Sequence, residues 1–310
     1  MTETLKMQGK YILNPHAGYG QEKKGKIASL VKYVGGEHVI ATPTPEKLEQ
    51  AVAVLECEPP EYLGIIGGDG TFSTVQTALG KLNPPTLLFN GGTMNNLHTC
   101  LNLPTNWTKY VERVLKGSAG LVSIDRLKVD YKTDERYAER IGCFFGLGLA
   151  HRYLQEYYTR KKGGRLAALR TTALLIGASL FSKKRRETLF LPSRNKIIID
   201  DEHVIDDDYN VLAVSTLPIL TTGLYPFDLA APGAMHVIIG NFTLEEILKN
   251  FFAIRKHGSQ FSAKNTYYNG KAAKITVESC RSLDFVVDGD VQRSEGSIQI
   301  SMTDSVRIFK

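Results

Sequence analysis

Leu63-Gly64-Ile65-Ile66-Gly67-Gly68-Asp69-Gly70-Thr71 is the stretch from which the fold of this chain is read. An apolar strand runs straight into three glycines within four residues, and a helix follows. Residues without a Cβ let backbone N–H groups turn inward and approach an anion closely, and a helix N-terminus adds partial positive charge. Asp69 is out of place beside bare phosphate. It fits if a magnesium ion lies between, because hard carboxylate oxygens suit that metal. The same residues also describe a tight turn whose aspartate caps the helix, so the stretch alone leaves both readings open.

A second turn of this kind, Asn90-Gly91-Gly92-Thr93-Met94-Asn95-Asn96, follows the strand Thr86 to Phe89. Thr93, Asn95 and Asn96 are placed either to contact a nucleotide or to cap the next helix, Asn and Thr being good caps. Asn14-Pro15-His16-Ala17-Gly18 closes the first strand, Tyr11 to Leu13, and Thr42 closes the second, His38 to Ala41. Ile27, Leu30, Val31 and Val34 recur at helical spacing between these strands, and Pro45 opens a helix carrying Leu48, Val52 and Leu55. Repeated strand–turn–helix units predict an α/β domain with a mainly parallel sheet and helices on both faces. Ligands of such sheets sit off the carboxyl ends of the strands. Four loops converging on that edge favour a phosphate pocket over four unrelated turns.

After Asp125 the texture changes. Leu127 to Tyr131, Ile197 to Asp200, Val211 to Ser215, His236 to Ile239, Ala273 to Val277 and Leu283 to Val287 are short and rich in β-branched residues. Turn signals at Asp200-Asp201, Asn269-Gly270 and Asp288-Gly289 separate them. An antiparallel β-sandwich or partial barrel is the expectation for this half, interrupted by a helical insert at about 164–181.

With 310 residues, the chain is about twice a ~150-residue domain, and 43% hydrophobic content against 23% charged excludes disorder. The expected boundaries are 1–125 and 126–295, with the C-terminal segment 296–310 returning to the first domain. Four cysteines stand far apart without a C-x-x-C pair, which excludes a disulfide scaffold or a cysteine zinc site and fits a reducing, cytoplasmic compartment. The N-terminus carries no apolar signal core, and no run of ~18 apolar residues predicts a membrane span. Seven histidines show no paired metal spacing.

Asn14-Pro15, Gly67-Gly68-Asp69-Gly70-Thr71 and Gly92-Thr93-Met94-Asn95-Asn96, in this order and spacing, resemble the diacylglycerol kinase catalytic domain family, which includes sphingosine, ceramide and bacterial lipid kinases. The resemblance runs on through Asp125 and Phe144-Phe145-Gly146-Leu147-Gly148 to Asp288-Gly289-Asp290, nearly the whole chain; Gly67 to Thr71 alone is shared with NAD kinases. It implies an ATP- and Mg2+-dependent kinase of a lipid hydroxyl, with an N-terminal nucleotide-binding α/β domain and a C-terminal β-sandwich. Carried over by residue, it implies that Asn14, Thr42, Gly67, Gly68, Asp69, Gly70, Thr71, Gly92, Thr93 and Asn95 bind ATP. Asp69 and Asp290 would lie on the metal, Asp125 would be an acidic residue of the site, and Asp290 the general base.

The chain departs from the family's pattern at three points. Asn96 stands where an aspartate is usual, and Asp290 where a glutamate is usual, one methylene shorter. Pro232, in Pro226-Phe227-Asp228-Leu229-Ala230-Ala231-Pro232-Gly233, occupies the position from which an aspartate helps hold a structural Mg2+ in bacterial members, so that second ion is expected to be absent. The first two departures keep a second reading open: a member that binds nucleotide or lipid without turnover.

Net charge is +6, yet nine basic residues and no acidic one lie between Arg160 and Arg186, leaving the remainder at −3. This local basicity points to a defined anionic partner. Leu166 to Phe181 is mostly apolar, with Leu169, Ala173, Ile176 and Leu180 on one face and cations at both ends, which describes a solvated helix or an interfacial one. No recognised nucleic-acid motif accompanies the charges. For a kinase whose substrate lives in a membrane, Lys183, Lys184, Arg185 and Arg186 are the expected contacts with an anionic lipid surface, making the protein peripheral.

Overall fold

The structure is a computed structural model that describes residues 8–18, 21–92, 94–159, 182–219, 224–255 and 261–310. The helix expected at about 164–181, the basic residues from Arg160 to Arg170 and the nucleotide candidate Thr93 lie outside them. The chain divides into two compact units, Met1–Ile124 with Ser305–Lys310, and Asp125–Asp304.

In the first unit, β1 (Gly9–Leu13), β2 (Val39–Ala41), β3 (Tyr62–Gly67) and β4 (Thr86–Asn90) form a parallel sheet in the order β2-β1-β3-β4. Every residue of β3 is buried, as a strand covered on both faces must be. Helices α1 (Gln21–Val34), α2 (Pro45–Cys57), α3 (Asp69–Leu79), α4 (Asn96–Cys100) and α5 (Trp107–Leu115) supply that cover. Local chemistry starts them: the Thr44 hydroxyl accepts from Lys47 N–H with Pro45 in the first turn of α2, and Asn106 caps α5 the same way. One face is closed by Tyr11, Tyr62, Phe89, Trp107, Tyr110 and Phe309, with Leu30 of α1 among them. The Tyr11 and Tyr62 hydroxyls bond each other at 2.8 Å, and Tyr110 donates to the Phe309 carbonyl. From β1 the chain goes to β2 on one side and then to β3 on the other. This reversal of strand order opens a crevice at the carboxyl ends of β1 and β3.

The second unit is a two-layer sandwich. One layer is antiparallel throughout, in the order β14 (Thr266–Ala272), β13 (Met235–Gly240), β12 (Val211–Ser215), β7 (Phe144–Gly148), β16 (Leu283–Val287), β17 (Asp290–Ser294). The other runs β10 (His203–Ile205), β9 (Lys196–Ile199), β15 (Lys274–Glu278), β18 (Ile298–Phe309), with β5 (Leu121–Lys132) pairing β18 and β6 (Tyr137–Gly142). Alternate residues of both layers, among them Leu127, Val129, Phe145, Leu212, Ile275 and Phe285, make the core. A two-residue bridge joins β8 (Ser193–Arg194) to β11 (Asp208–Tyr209), and the described helices are α6 (Leu149–Thr159), α7 (Lys183–Leu189) and α8 (Leu244–Ala253). The last residues of β18, from Ser305, belong to the first unit, where Ile308 pairs in parallel with Thr86.

Two of the expected turns form as read. Asp200 and Asp201 (φ 51° and 61°) are left-handed in the three-residue loop 200–202 between β9 and β10, and Asp288 and Gly289 (φ 47° and 93°) close a two-residue hairpin. Asn269-Gly270 does not: both residues lie inside β14, opposite Ile238 and Val237. The reason is side-chain bonding. Asn269 accepts from His236 at 2.6 Å and donates to the Phe261 carbonyl at 2.7 Å, which holds it in the ladder.

His236 itself is buried, and its Nδ1 accepts the Leu229 N–H at 3.2 Å, so the proton sits on Nε2 facing Asn269. Burial lowers its pKa below the ordinary histidine value, with the Asn269 bond opposing. The folded protein therefore holds a neutral ring while the unfolded chain takes up a proton first. This contribution to stability is complete well above pH ~6.5 and is lost as pH falls through that value. The thermal midpoint is expected to drop between about pH 7 and pH 5.5, and less steeply in His236→Gln. A residual slope should remain, because burial lowers His151 as well.

Candidate active site

The crevice of the first unit is built from glycines that touch. A Cβ added at Gly68 would lie 2.7 Å from the Gly92 Cα, and one added at Gly92 only 2.3 Å from the Gly68 Cα. The two glycine turns thus pack main chain against main chain, and Gly91 N–H crosses from the second to the Gly67 carbonyl at 2.8 Å. Gly67 is equally constrained, since a Cβ there would meet the Thr71 side chain at 2.4 Å.

This packing frees the start of α3. Gly68 is its N-cap and offers no side-chain acceptor, and the first intrahelical bond is Phe72 N–H to the Gly68 carbonyl. The amides of Asp69, Gly70 and Thr71 then form the first turn, whose donors have no partner within the helix. With the positive end of an 11-residue helix behind them, they make an anion cradle. Asn14 braces it: its side chain donates to Thr71 Oγ1 at 3.0 Å and accepts from His16 N–H at 2.9 Å.

Asp69 caps a different helix from the one it begins. Its two carboxylate oxygens accept the N–H groups of Asn96 and Leu97 at 2.9 and 3.2 Å, at the start of α4. Burial raises its pKa above the ordinary carboxylate value, against the pull of these two bonds. Asn95, left-handed at φ 52°, is the N-cap residue of α4 but makes no side-chain bond to that helix; its side chain accepts from the Gly92 N–H and donates to the Gly92 carbonyl, both at 2.8 Å. Thr42 is buried with its hydroxyl donating to the Leu13 carbonyl at 3.4 Å. One contributor was not singled out in the sequence: Lys23 of α1 reaches the Gly92 carbonyl with its ammonium at 2.7 Å. It sets a positive charge on the second glycine turn.

Among the described residues no group of three or more His, Cys, Asp or Glu is arranged to hold a metal ion. Mg2+ commonly takes one or two carboxylates and leaves its other positions to phosphate and water. Asp69 fits that modest demand, because a carboxylate has about four lone-pair sites and the α4 amides use two.

In the second unit, Asp125 on β5 accepts Gly233 N–H at 2.6 Å, so it ties down the loop that carries Pro232. Asp288 holds the β16–β17 turn against the corner between β6 and β7: its carboxylate accepts Cys143 and Phe144 N–H, each at 2.9 Å. A Cβ at Gly142 would stand 2.5 Å from that carboxylate, which accounts for the glycine. Asp290 is the first residue of β17, and Arg140 of β6, a second unforeseen participant, lies 3.4 Å from its Oδ2. The cationic residues Lys183, Lys184 and Arg186 are exposed on α7, while the side chain of Arg185 is outside the description. Arg152 of α6 donates to the Leu189 and Leu191 carbonyls at 3.1 and 2.6 Å and fixes the end of that helix. No described helix is long and apolar enough to cross a membrane.

The chain has counterparts of known structure. A diacylglycerol kinase from Bacillus anthracis str. Sterne shares 16% identity at TM-score 0.63, and a candidate diacylglycerol kinase from the same organism shares 17% at 0.68. In both matches the alignment covers 97% of this chain and 96% of the other. A yeast NADH kinase in complex with NADH matches at 13% identity and TM-score 0.54, over 98% of this chain and 83% of that one. At these identities the likeness shows a shared fold. Comparison with curated proteins found no match. Residues 9–127 match the model of the diacylglycerol kinase catalytic domain.

The fold is the one that these kinases of known structure share. The diacylglycerol kinase catalytic domain match itself spans residues 9–127, which include both glycine turns.

Proposed function

We propose that this protein transfers the γ-phosphoryl group of ATP to a hydroxyl of a lipid. The observation that carries the reading is the uncapped start of α3 at Gly68, shaped by the Gly68–Gly92 contact. It supplies amides for a polyphosphate. A bound Mg2+ would neutralise charge on the phosphates, with Asp69 as its protein ligand. Asn14 and Lys23 keep the two turns in place as the nucleotide enters. Asp290 accepts the hydroxyl proton while the lipid oxygen bonds to the γ-phosphorus and the bridging P–O bond breaks, releasing ADP.

Incubation of the purified protein with total lipid and labelled ATP tests this, with identification of any new phospholipid by mass. Label in a lipid is expected. Label appearing in NADP when NAD is supplied instead would make the chain an NAD kinase. A binding protein without turnover is the second reading, favoured by Asp69 being engaged at α4, and transfer to any lipid removes it.

Access to such a substrate requires a surface for the membrane, and the exposed cations of α7 supply it in this reading. Each Lys or Arg near anionic lipid contributes about 1 kcal/mol. Replacing Lys183, Lys184, Arg185 and Arg186 with Ser is expected to weaken sedimentation with phosphatidylserine-containing vesicles, most at low salt. Equal sedimentation of the two proteins would give the cluster another task.

A further inference from the structure

Asp290 is one methylene shorter than a glutamate, and a base that falls short by about one C–C bond loses rate steeply. The surroundings of Asp290 show how the shortfall is met. The turn preceding it is fixed from two directions: the Asp288 carboxylate takes the N–H groups of Cys143 and Phe144, and the Asp288 N–H returns to the Phe144 carbonyl at 3.0 Å. The turn packs closely on β6 at Gly142, where an added Cβ would stand 2.5 Å from the Asp288 carboxylate. Two residues before that glycine on β6 stands Arg140; two residues after the clamp aspartate on β17 stands Asp290. The same corner that locks the backbone therefore brings a guanidinium to the carboxylate, 3.4 Å from Oδ2.

Exposure separates this pair from the other ion pairs among the described residues of the sandwich. Only 18% of the Arg140 side chain is accessible, against 60% for Arg293 beside Asp284 and 67% for Arg194 beside Asp206. Pairs as open as the last two contribute little. A mostly enclosed guanidinium with a fixed planar fork restrains the rotation of the carboxylate it faces.

Resting on the kinase reading above, we infer that Arg140 is the positioning residue for Asp290. It anchors Oδ2, fixes the χ angles of the aspartate, and so holds the short side chain in the one orientation that meets a substrate hydroxyl. Arg140 touches neither nucleotide nor lipid in this role.

The test is a double-mutant cycle in the lipid phosphorylation assay. Arg140→Met is expected to lower kcat on the order of 10- to 100-fold with the KM for ATP changed less than about 2-fold. Arg140→Lys should recover part of the loss. In an Asp290→Asn background, Arg140→Met should cost nothing further, whereas an arginine that merely supports the sandwich would cost as much as before. In parallel, 15N spectra of the Arg140 guanidinium should show hindered rotation in the wild type that is released in Asp290→Asn. An unchanged kcat in Arg140→Met, or a guanidinium that rotates freely in the wild type, overturns the inference and leaves the kinase reading standing. Absence of lipid phosphorylation by the wild type overturns both.

Discussion

Gly92→Ala is expected to lose phosphoryl transfer by at least ~100-fold and to destabilise the first unit by about 1–3 kcal/mol. The added methyl group would sit 2.3 Å from the Gly68 Cα, and main chain cannot rotate away as a side chain does. One turn must therefore move by an ångström or more. Either movement displaces the amides of Asp69, Gly70 and Thr71 or breaks the Gly91–Gly67 bond that aligns the turns. Gly25→Ala is the matching control: it lies in α1 with nothing within 4 Å of the new Cβ. Removing a helical glycine should stabilise by about 0.5–1 kcal/mol and leave transfer intact. Thermal unfolding and the lipid assay, run on both variants, measure the contrast. Equal activity of the Gly92→Ala and wild-type proteins would mean that the touching turns serve packing alone.

Asp290→Asn should lower kcat by about 100- to 10,000-fold, the range lost when a general base is removed, with nucleotide affinity unchanged. The amide is isosteric and keeps a hydrogen-bond acceptor, so folding should be preserved, and it has no comparable affinity for a proton. Stability should fall by no more than about 1 kcal/mol, because the Arg140 pair is partly exposed and the turn is held by Asp288 independently. Undiminished transfer in Asp290→Asn removes this residue from the base role.

The fold was legible because its cues are local. Leu63 to Ile66 followed by glycines reads as a buried strand entering a helix, and Thr44-Pro45 reads as a helix start, without knowledge of anything distant. The Asp-Asp and Asp-Gly hairpins at Asp200 and Asp288 are equally local. Asn269-Gly270 misled for the converse reason: a local turn signal was outweighed by bonds to His236 and Phe261, which the sequence does not place beside it.

The site was legible in its glycines and less so in its side chains. Gly67, Gly68 and Gly92 announce close backbone approach wherever they occur. That Asp69 would serve α4 rather than α3 depends on a contact 27 residues along the chain. Lys23 meets Gly92 across 69 residues, and Arg140 meets Asp290 across 150. No periodicity or spacing connects such pairs; only the strand order of each unit brings them together.

Phosphoryl transfer in this protein depends most on the amides at the start of α3. A crystal structure of the protein with a non-hydrolysable ATP analogue and Mg2+ tests it directly. Phosphate oxygens should lie within hydrogen-bond distance of the Asp69, Gly70 and Thr71 N–H groups. A nucleotide bound elsewhere, or these amides left without phosphate at saturating analogue, would contradict it.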